Sequence, residues 1–307
     1  MLNFAFACKM DAVRMARYSV RKRVDVPGAY RAERIAVMEL VNTHCHSKYC
    51  GHGEGEIEQY AQAAENAGLT TLAFTEHYPL SKAFDPQEYL SVLPENMPAY
   101  IAAVEQARID HPSMEILLGC ELDYLGADED RTFLPGEFDP FQIVLGSVHF
   151  VDAWPFDDPA QRDRWDEPGA ADAIWERYFE LWCNAVSDRS LPFTVMSHPD
   201  LAKKFNYYPS YDPAPLYKMA AEAAAASGRM IEVNTSGSYY ACAEMFPAPA
   251  LLAEFCKAGV PCTLGTDAHK PEHVARDIES GYALMASAGY RVLTLPTSSG
   301  DRRTIQL

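Results

Sequence analysis

Nine histidines occur in the 307-residue chain, and seven of them fall at or just past the ends of strand-like runs. His44 and His46 form an H-x-H pair, and His52 follows in the next loop. His77 closes Phe74-Thr75-Glu76-His77, His149 follows Gly146-Ser147-Val148, and His198 opens His198-Pro199-Asp200. Asp267 and His269 form a D-x-H pair, and Glu121 adds a second carboxylate within Leu118-Gly119-Cys120-Glu121-Leu122-Asp123. Residues two apart on a strand point the same way, so each H-x-H or D-x-H pair aims two donors at one point. Any one of these histidines alone reads as an ordinary core or surface residue; the seven together do not. Imidazole and carboxylate suit zinc, iron or manganese. Nine donors exceed what one or two ions need, whereas three ions at four or five coordinates take about 12–15 positions, the remainder falling to water and substrate oxygens. His111 and His273 sit in exposed-looking helix or loop contexts and are set aside.

The elements that must position these donors repeat one unit: a short apolar run ending in polar residues, then a helical stretch. The runs are Glu39–Thr43, Thr71–Thr75, Glu115–Cys120, Gln142–Ser147, Phe193–Ser197, Met230–Asn234 and Pro261–Thr266. Helical patterns cover Glu56–Ala67, Pro98–Asp110, Ala170–Ser187, Pro213–Ser227, Pro249–Ala258 and Pro271–Ala288. Gly68, Gly228 and Gly259 suit C-terminal stops, and Pro249 and Pro271 suit first turns. Alternation of this kind predicts an α/β fold with a mostly parallel sheet. Seven repeats in about 250 residues suit a TIM-like (β/α)7 barrel, with the site at the C-terminal strand ends. The alternative, an open doubly wound sheet, lacks the support of a G-x-G-x-x-G or Walker-type loop.

Composition narrows the classes. Hydrophobic content of 48% and charged content of 22% are those of an ordinary globular enzyme. A net charge of −17 disfavours a groove for duplex nucleic acid. It should also repel phosphate, unless divalent ions reverse the field locally; three would bring about +6 against two carboxylates. Residues 1–37 differ from the rest, with eight Lys or Arg against three Asp or Glu. They read as a basic, poorly ordered extension preceding one barrel domain over residues 38–307. Eight cysteines without a C-x-x-C pair read as buried thiols, and Cys45 should point away from the donors on either side of it. No apolar run approaches a membrane span, and Met1–Ala7 is too short for a signal segment. The expected location is the cytoplasm, with no membrane partner.

In order along the chain stand Asn42-Thr43-His44-Cys45-His46-Ser47, Cys50-Gly51-His52-Gly53, Phe74-Thr75-Glu76-His77, Gly119-Cys120-Glu121, Gly146-Ser147-Val148-His149-Phe150, Ser197-His198-Pro199-Asp200-Leu201, Glu232-Val233-Asn234-Thr235-Ser236-Gly237 and Gly265-Thr266-Asp267-Ala268-His269. Over residues 39–285 this set resembles the polymerase and histidinol phosphatase (PHP) superfamily, and within it the monofunctional histidinol-phosphate phosphatases. The resemblance implies a distorted seven-stranded barrel with a trinuclear site. His44, His46, Glu121 and Asp267 would surround one ion, Glu121 would bridge to a second held by His149 and His198, and His52, His77 and His269 would hold a third. It implies hydrolysis of L-histidinol phosphate in histidine biosynthesis, with Asp267, His269 and Glu121 at the reacting centre and a small phosphorylated metabolite as the partner. Lys203 and Lys204 are candidates for holding phosphate. One departure stands out: after Asn234-Thr235-Ser236-Gly237, where these phosphatases often place a basic residue, Ser238-Tyr239-Tyr240 follows. The 151–170 insert, with Trp154 and Trp165, reads as either a lid or a decorated loop. Two alternatives remain open: a phosphoesterase of the same superfamily acting on a nucleotide or other small phosphorylated metabolite, and a non-catalytic metal-binding module.

Overall fold

The computed structural model of the chain describes residues 38–126 and 133–307. The expectation of a poorly ordered basic segment over residues 1–37 therefore lies outside the described residues. Glu39–Leu307 form one compact unit. Its elements run β1 (Leu40–Asn42), α1 (Ile57–Ala67), β2 (Leu69–His77), α2 (Met97–Asp110), β3 (Glu115–Asp123), β4 (Ile143–Ser147), the short β5 (Phe150–Val151) and β6 (Trp154–Pro155), α3 (Ala170–Ser187), β7 (Val195–Met196), α4 (Ala214–Ser227), β8 (Met230–Asn234), α5 (Pro249–Lys257), β9 (Cys262–Gly265), α6 (Ile278–Ser287), and the hairpin β10 (Val292–Pro296) and β11 (Arg302–Gln306).

Seven strands pair in parallel in the order β1-β2-β3-β4-β7-β8-β9. The ring nearly closes where Thr43 N–H donates to the Leu264 carbonyl at 2.9 Å and Asp267 N–H to that of His44 at 2.9 Å. Parallel strands covered on both faces read as continuous apolar runs, and β4 is buried along its whole length. α1 buries Ile57, Tyr60, Ala61 and Ala64, the three-and-four spacing of one helical face, and stops at Gly68, whose φ of 81° costs a glycine little. Inside the ring, Ala73, Leu117, Ile143, Leu145, Val195 and Met230 form a separate apolar layer. Among the described residues no helix is long and apolar enough to cross a membrane.

Four expectations need correcting. The helical pattern over Pro271–Ala288 is broken into a short turn at Pro271–His273 and α6. The Arg276 carbonyl accepts from Thr235 Oγ1 at 2.9 Å instead of from the helix, and Asp277 takes a left-handed φ of 58°. The fifth run shortens to Val195–Met196. The hairpin of β10 and β11 lies beyond the repeating unit and went unpredicted; it buries Leu293, Leu295 and Ile305. His111 is buried, not exposed, with Nδ1 3.0 Å from Glu65 and Nε2 3.1 Å from Glu58, both on α1.

Burial works against protonation of His111, but the hydrogen bonds to Glu65 and Glu58 outweigh it and raise its pKa. A raised folded value means the stabilisation is complete below the unfolded histidine value of about 6.5 and fades as pH rises through the folded one. Both glutamates are well exposed, so solvent screening keeps the contribution of these contacts small. Urea melts of His111→Gln should therefore fall below wild type at about pH 5.5 and converge towards it near pH 9. An equal deficit at both pH values would rule out the charged form.

Candidate metal centre

Alternation along the strands builds the site on top of the apolar layer. On β3, Leu117 lies in that layer and Glu121 and Asp123 follow on the same face. On β2, Ala73 lies in it and His77 follows. His77 and Glu121 are register partners across the two strands, which makes them neighbours by construction.

Glu121 is the centre of the arrangement. Its Oε2 lies 3.3 Å from His44 Nε2, 3.2 Å from His46 Nε2 and 3.1 Å from His77 Nδ1. Its Oε1 lies 2.8 Å from His198 Nε2 and 3.7 Å from His149 Nε2, and accepts from Ser147 Oγ at 2.5 Å. Asp267 Oδ1 is 3.4 Å from His46 Nε2 and 3.7 Å from His44 Nε2. His52 and His269 approach Nε2 to Nε2 at 3.0 Å. All nine expected donors meet at one mouth. Cys45, between two of them, turns the other way and donates its thiol to the Ala73 carbonyl.

A surrounding layer that sequence reasoning missed sets the ring tautomers. A carboxylate or carbonyl can only accept, so an imidazole nitrogen facing one carries the proton and leaves the other as a lone pair. His44 Nδ1 faces Glu232 at 2.9 Å and His149 Nδ1 faces Asp123 at 2.7 Å. His52 Nδ1 faces the Cys50 carbonyl at 3.0 Å, and His269 Nδ1 that of Asp267 at 3.1 Å. In its neutral form each of these four rings thus points an Nε2 lone pair inward. Two of these lone pairs, on His52 and His269, face each other at hydrogen-bond distance with no hydrogen to share. A proton or a cation must lie between them. Burial, then the charge of His46, lowers both pKa values, that of His269 to about 3, which disfavours the proton at neutral pH. The donor set therefore fits metal ions.

Glu232 does more than hold His44. Its Oε2 accepts the His198 backbone N–H at 2.9 Å and Asn234 Nδ2 at 3.0 Å. That bond steadies His198 at a φ of 25°. A Cβ at Gly265 would fall 1.9 Å from Glu232 Oε1 and 2.4 Å from His44 Cβ, so β9 leaves space there for the carboxylate. One signal for Glu232 was legible: an acid in the middle of the buried run Met230-Ile231-Glu232-Val233 needs a partner. Asp123 was likewise legible as the next same-face position after Glu121. Glu76, fully buried, accepts from Ser47 N–H at 2.7 Å and Ser47 Oγ at 2.5 Å and fixes the loop after His46.

Charge and protonation follow. Burial opposes ionisation of Glu121 and Asp267, but the surrounding histidines, His44 foremost, hold both carboxyls well below the usual range. Burial also opposes protonation of His44 and His149. Glu232 with Glu121 in the first case, and Asp123 with Glu121 in the second, overcome it; His44 is raised well above its ordinary value and His149 to about 10. Without ions, these raised values favour protons on both rings.

The mouth opens into a cavity of about 520 Å³. Lys204 lines it, with Nζ 2.8 Å from Asp157 Oδ2. Lys203 does not: it is fully buried, and its ammonium is taken by Glu244 (2.6 Å), the Met245 carbonyl (2.8 Å) and Asp200 (3.2 Å). His273, set aside earlier, lines the outer wall, as do Tyr239, Tyr240 and Arg276. The 151–170 insert packs Trp154 and Trp165 inward with ring centroids 6.0 Å apart and turns Pro155, Asp157 and Asp158 towards the cavity.

A parallel β/α barrel that converges imidazoles and carboxylates on its C-terminal rim defines a metal-dependent hydrolase. The PHP domain model matches residues 42–236. A "Probable histidinol-phosphatase" of Deinococcus radiodurans is 33% identical over 258 residues, covering 83% of this chain and 96% of that protein. The chain belongs to the PHP domain family. A "Histidinol-phosphatase" of Bacillus subtilis is 26% identical, covering 81% of this chain and 98% of that one. In fold, the chain resembles the crystal structure of the Lactococcus lactis histidinol phosphate phosphatase complexed with zinc, L-histidinol and phosphate, with a TM-score of 0.68 at 20% identity over 87% of this chain and 100% of that one.

Two outcomes are expected. Ions entering the ion-free protein displace protons from His44 and His149, so binding releases protons and tightens as pH rises. Calorimetric titration in buffers of different ionisation enthalpy measures this, and buffer-independent heats would contradict it. Gly265→Ala drives a methyl into Glu232; we expect a loss of about 1–3 kcal/mol in stability and fewer bound metals per chain by elemental analysis. Wild-type values of both would mean Glu232 needs no such space.

Proposed function

We propose that the chain is a phosphomonoesterase that hydrolyses L-histidinol phosphate to L-histidinol and phosphate, as a step of histidine biosynthesis in the cytoplasm. The observation that carries the chemistry is the shared carboxylate, with the two oxygens of Glu121 facing separate imidazole groups. The near full-length kinship with the Deinococcus radiodurans protein supports the choice of substrate. His44, His46 and Asp267 would hold one divalent ion, His149 and His198 a second, and His52, His77 and His269 a third, with Glu121 between the first two. Zinc, iron and manganese all suit these donors. Bound there, such ions polarise a phosphoryl oxygen and make water a nucleophile near neutral pH.

The chain's own residues do the rest. Lys204 presents an ammonium to phosphate oxygens from the cavity wall. Leu80, Leu90 and Phe150 offer an apolar surface to the carbon part of the substrate. Asp267, ionised and at the mouth, accepts a proton on the reacting side, and Ser236 Oγ, 3.3 Å from its Oδ2, keeps it oriented.

Metal-loaded protein should prefer histidinol phosphate to AMP and to a generic aryl phosphate. Asp267→Asn should lower kcat by roughly 100-fold or more. Wild type should restore growth to a histidine auxotroph lacking the phosphatase, and His198→Ala should not. Equal rates on all three phosphates would remove the substrate assignment and leave the reaction class.

A further inference from the structure

The cavity's charge pattern singles out a residue that neither the motif set nor the loop order suggests. Lys204 is matched by Asp157 at 2.8 Å, and Lys270 by Glu54 at 2.7 Å. Arg276 lines the same cavity, yet among the described residues its guanidinium makes no salt bridge or hydrogen bond, and its Nε is buried without a partner. Its carbon lies 3.6 Å from the centroid of Tyr239, so the ring face supports the guanidinium without accepting its in-plane N–H bonds. Both ends of this support are fixed. Tyr239 OH donates to Asp277 Oδ2 at 2.5 Å, and the Arg276 carbonyl accepts from Thr235 Oγ1 at 2.9 Å. The break between Pro271–His273 and α6 therefore places Arg276 against the turn after β8, the turn whose next residues, Ser238-Tyr239-Tyr240, lack a basic side chain.

We propose that Arg276, carried by Tyr239, is the principal phosphate-binding cation of this cavity. The inference rests on the phosphoesterase reading above. A guanidinium offers paired N–H donors whose spacing matches two phosphate oxygens, and its charge is permanent. Lys204, already neutralised by Asp157, contributes a weaker pull from the other wall.

Phosphate affinity tests this independently of turnover. Inorganic phosphate is titrated calorimetrically into metal-loaded wild type, Arg276→Gln, Arg276→Lys and Tyr239→Leu, with metal content measured on each sample. Arg276→Gln should weaken binding by roughly 10- to 100-fold, the range for losing a hydrogen bond between charged groups. Arg276→Lys should fall between it and wild type, and Tyr239→Leu should weaken binding at unchanged metal content. Phosphate affinity of Arg276→Gln and Arg276→Lys within twofold of wild type, at full metal content, would overturn the assignment. A wild type inactive on histidinol phosphate that still shows this series would sink the substrate reading alone and leave Arg276 in place.

Discussion

Electron-rich atoms crowd together at the mouth of this barrel with too few hydrogens between them. His52 and His269 set lone pairs 3.0 Å apart, and Glu121 lies within about 3.3 Å of four imidazole nitrogens. Such contacts are repulsive unless positive charge sits among them, and partial burial strengthens that repulsion. The fold is organised around holding that arrangement in place. A rigid apolar layer of Ala73, Leu117, Ile143, Leu145, Val195 and Met230 sits beneath it, and a ring of hydrogen-bond acceptors stands behind it.

Glu232 shows how much one buried carboxylate can organise. It orients His44 on the segment after β1 and holds the backbone of His198 after β7, and it hangs from β8 between them. Three parts of the barrel thus answer to a single side chain, which is why the neighbouring strand needs glycine at position 265. Lys203 does comparable work outside the mouth, tying Asp200 to Glu244 and the Met245 carbonyl. It supports the loop that carries Tyr240 towards the cavity without facing the cavity itself.

Much of the architecture was legible because the strands are buried on both faces and six of the seven lead into one of the nine donors, so hydrophobic runs and donors mark the same boundaries. The convergence of His44, His46, His77 and Glu121 follows from alternation plus register, both properties of the chain's pattern. What stayed hidden depended on tertiary partners. Lys203 and Lys204 are adjacent in sequence with the same chemistry, and only the positions of Asp157 and Glu244 separate them. The apolar spacing over Pro271–Ala288 fits one helix; Thr235, from the turn after β8, competes for the Arg276 carbonyl and breaks it. His111 looked exposed because nothing in its own segment announces two glutamates on α1.

The ring nearly closes between β1, the earliest strand of the sheet, and β9, the latest. His44 and Asp267, which share an oxygen's reach of the same point, are therefore supplied at opposite ends of the barrel's synthesis. A chain still emerging from the ribosome can offer His44, His46, His77 and Glu121 as a partial chelate, but not the Asp267 carboxylate or the His269 ring. The complete set of nine donors therefore exists only once translation has passed residue 269 and β9 has docked, and on the proposed ligand assignment tight metal binding would follow that step.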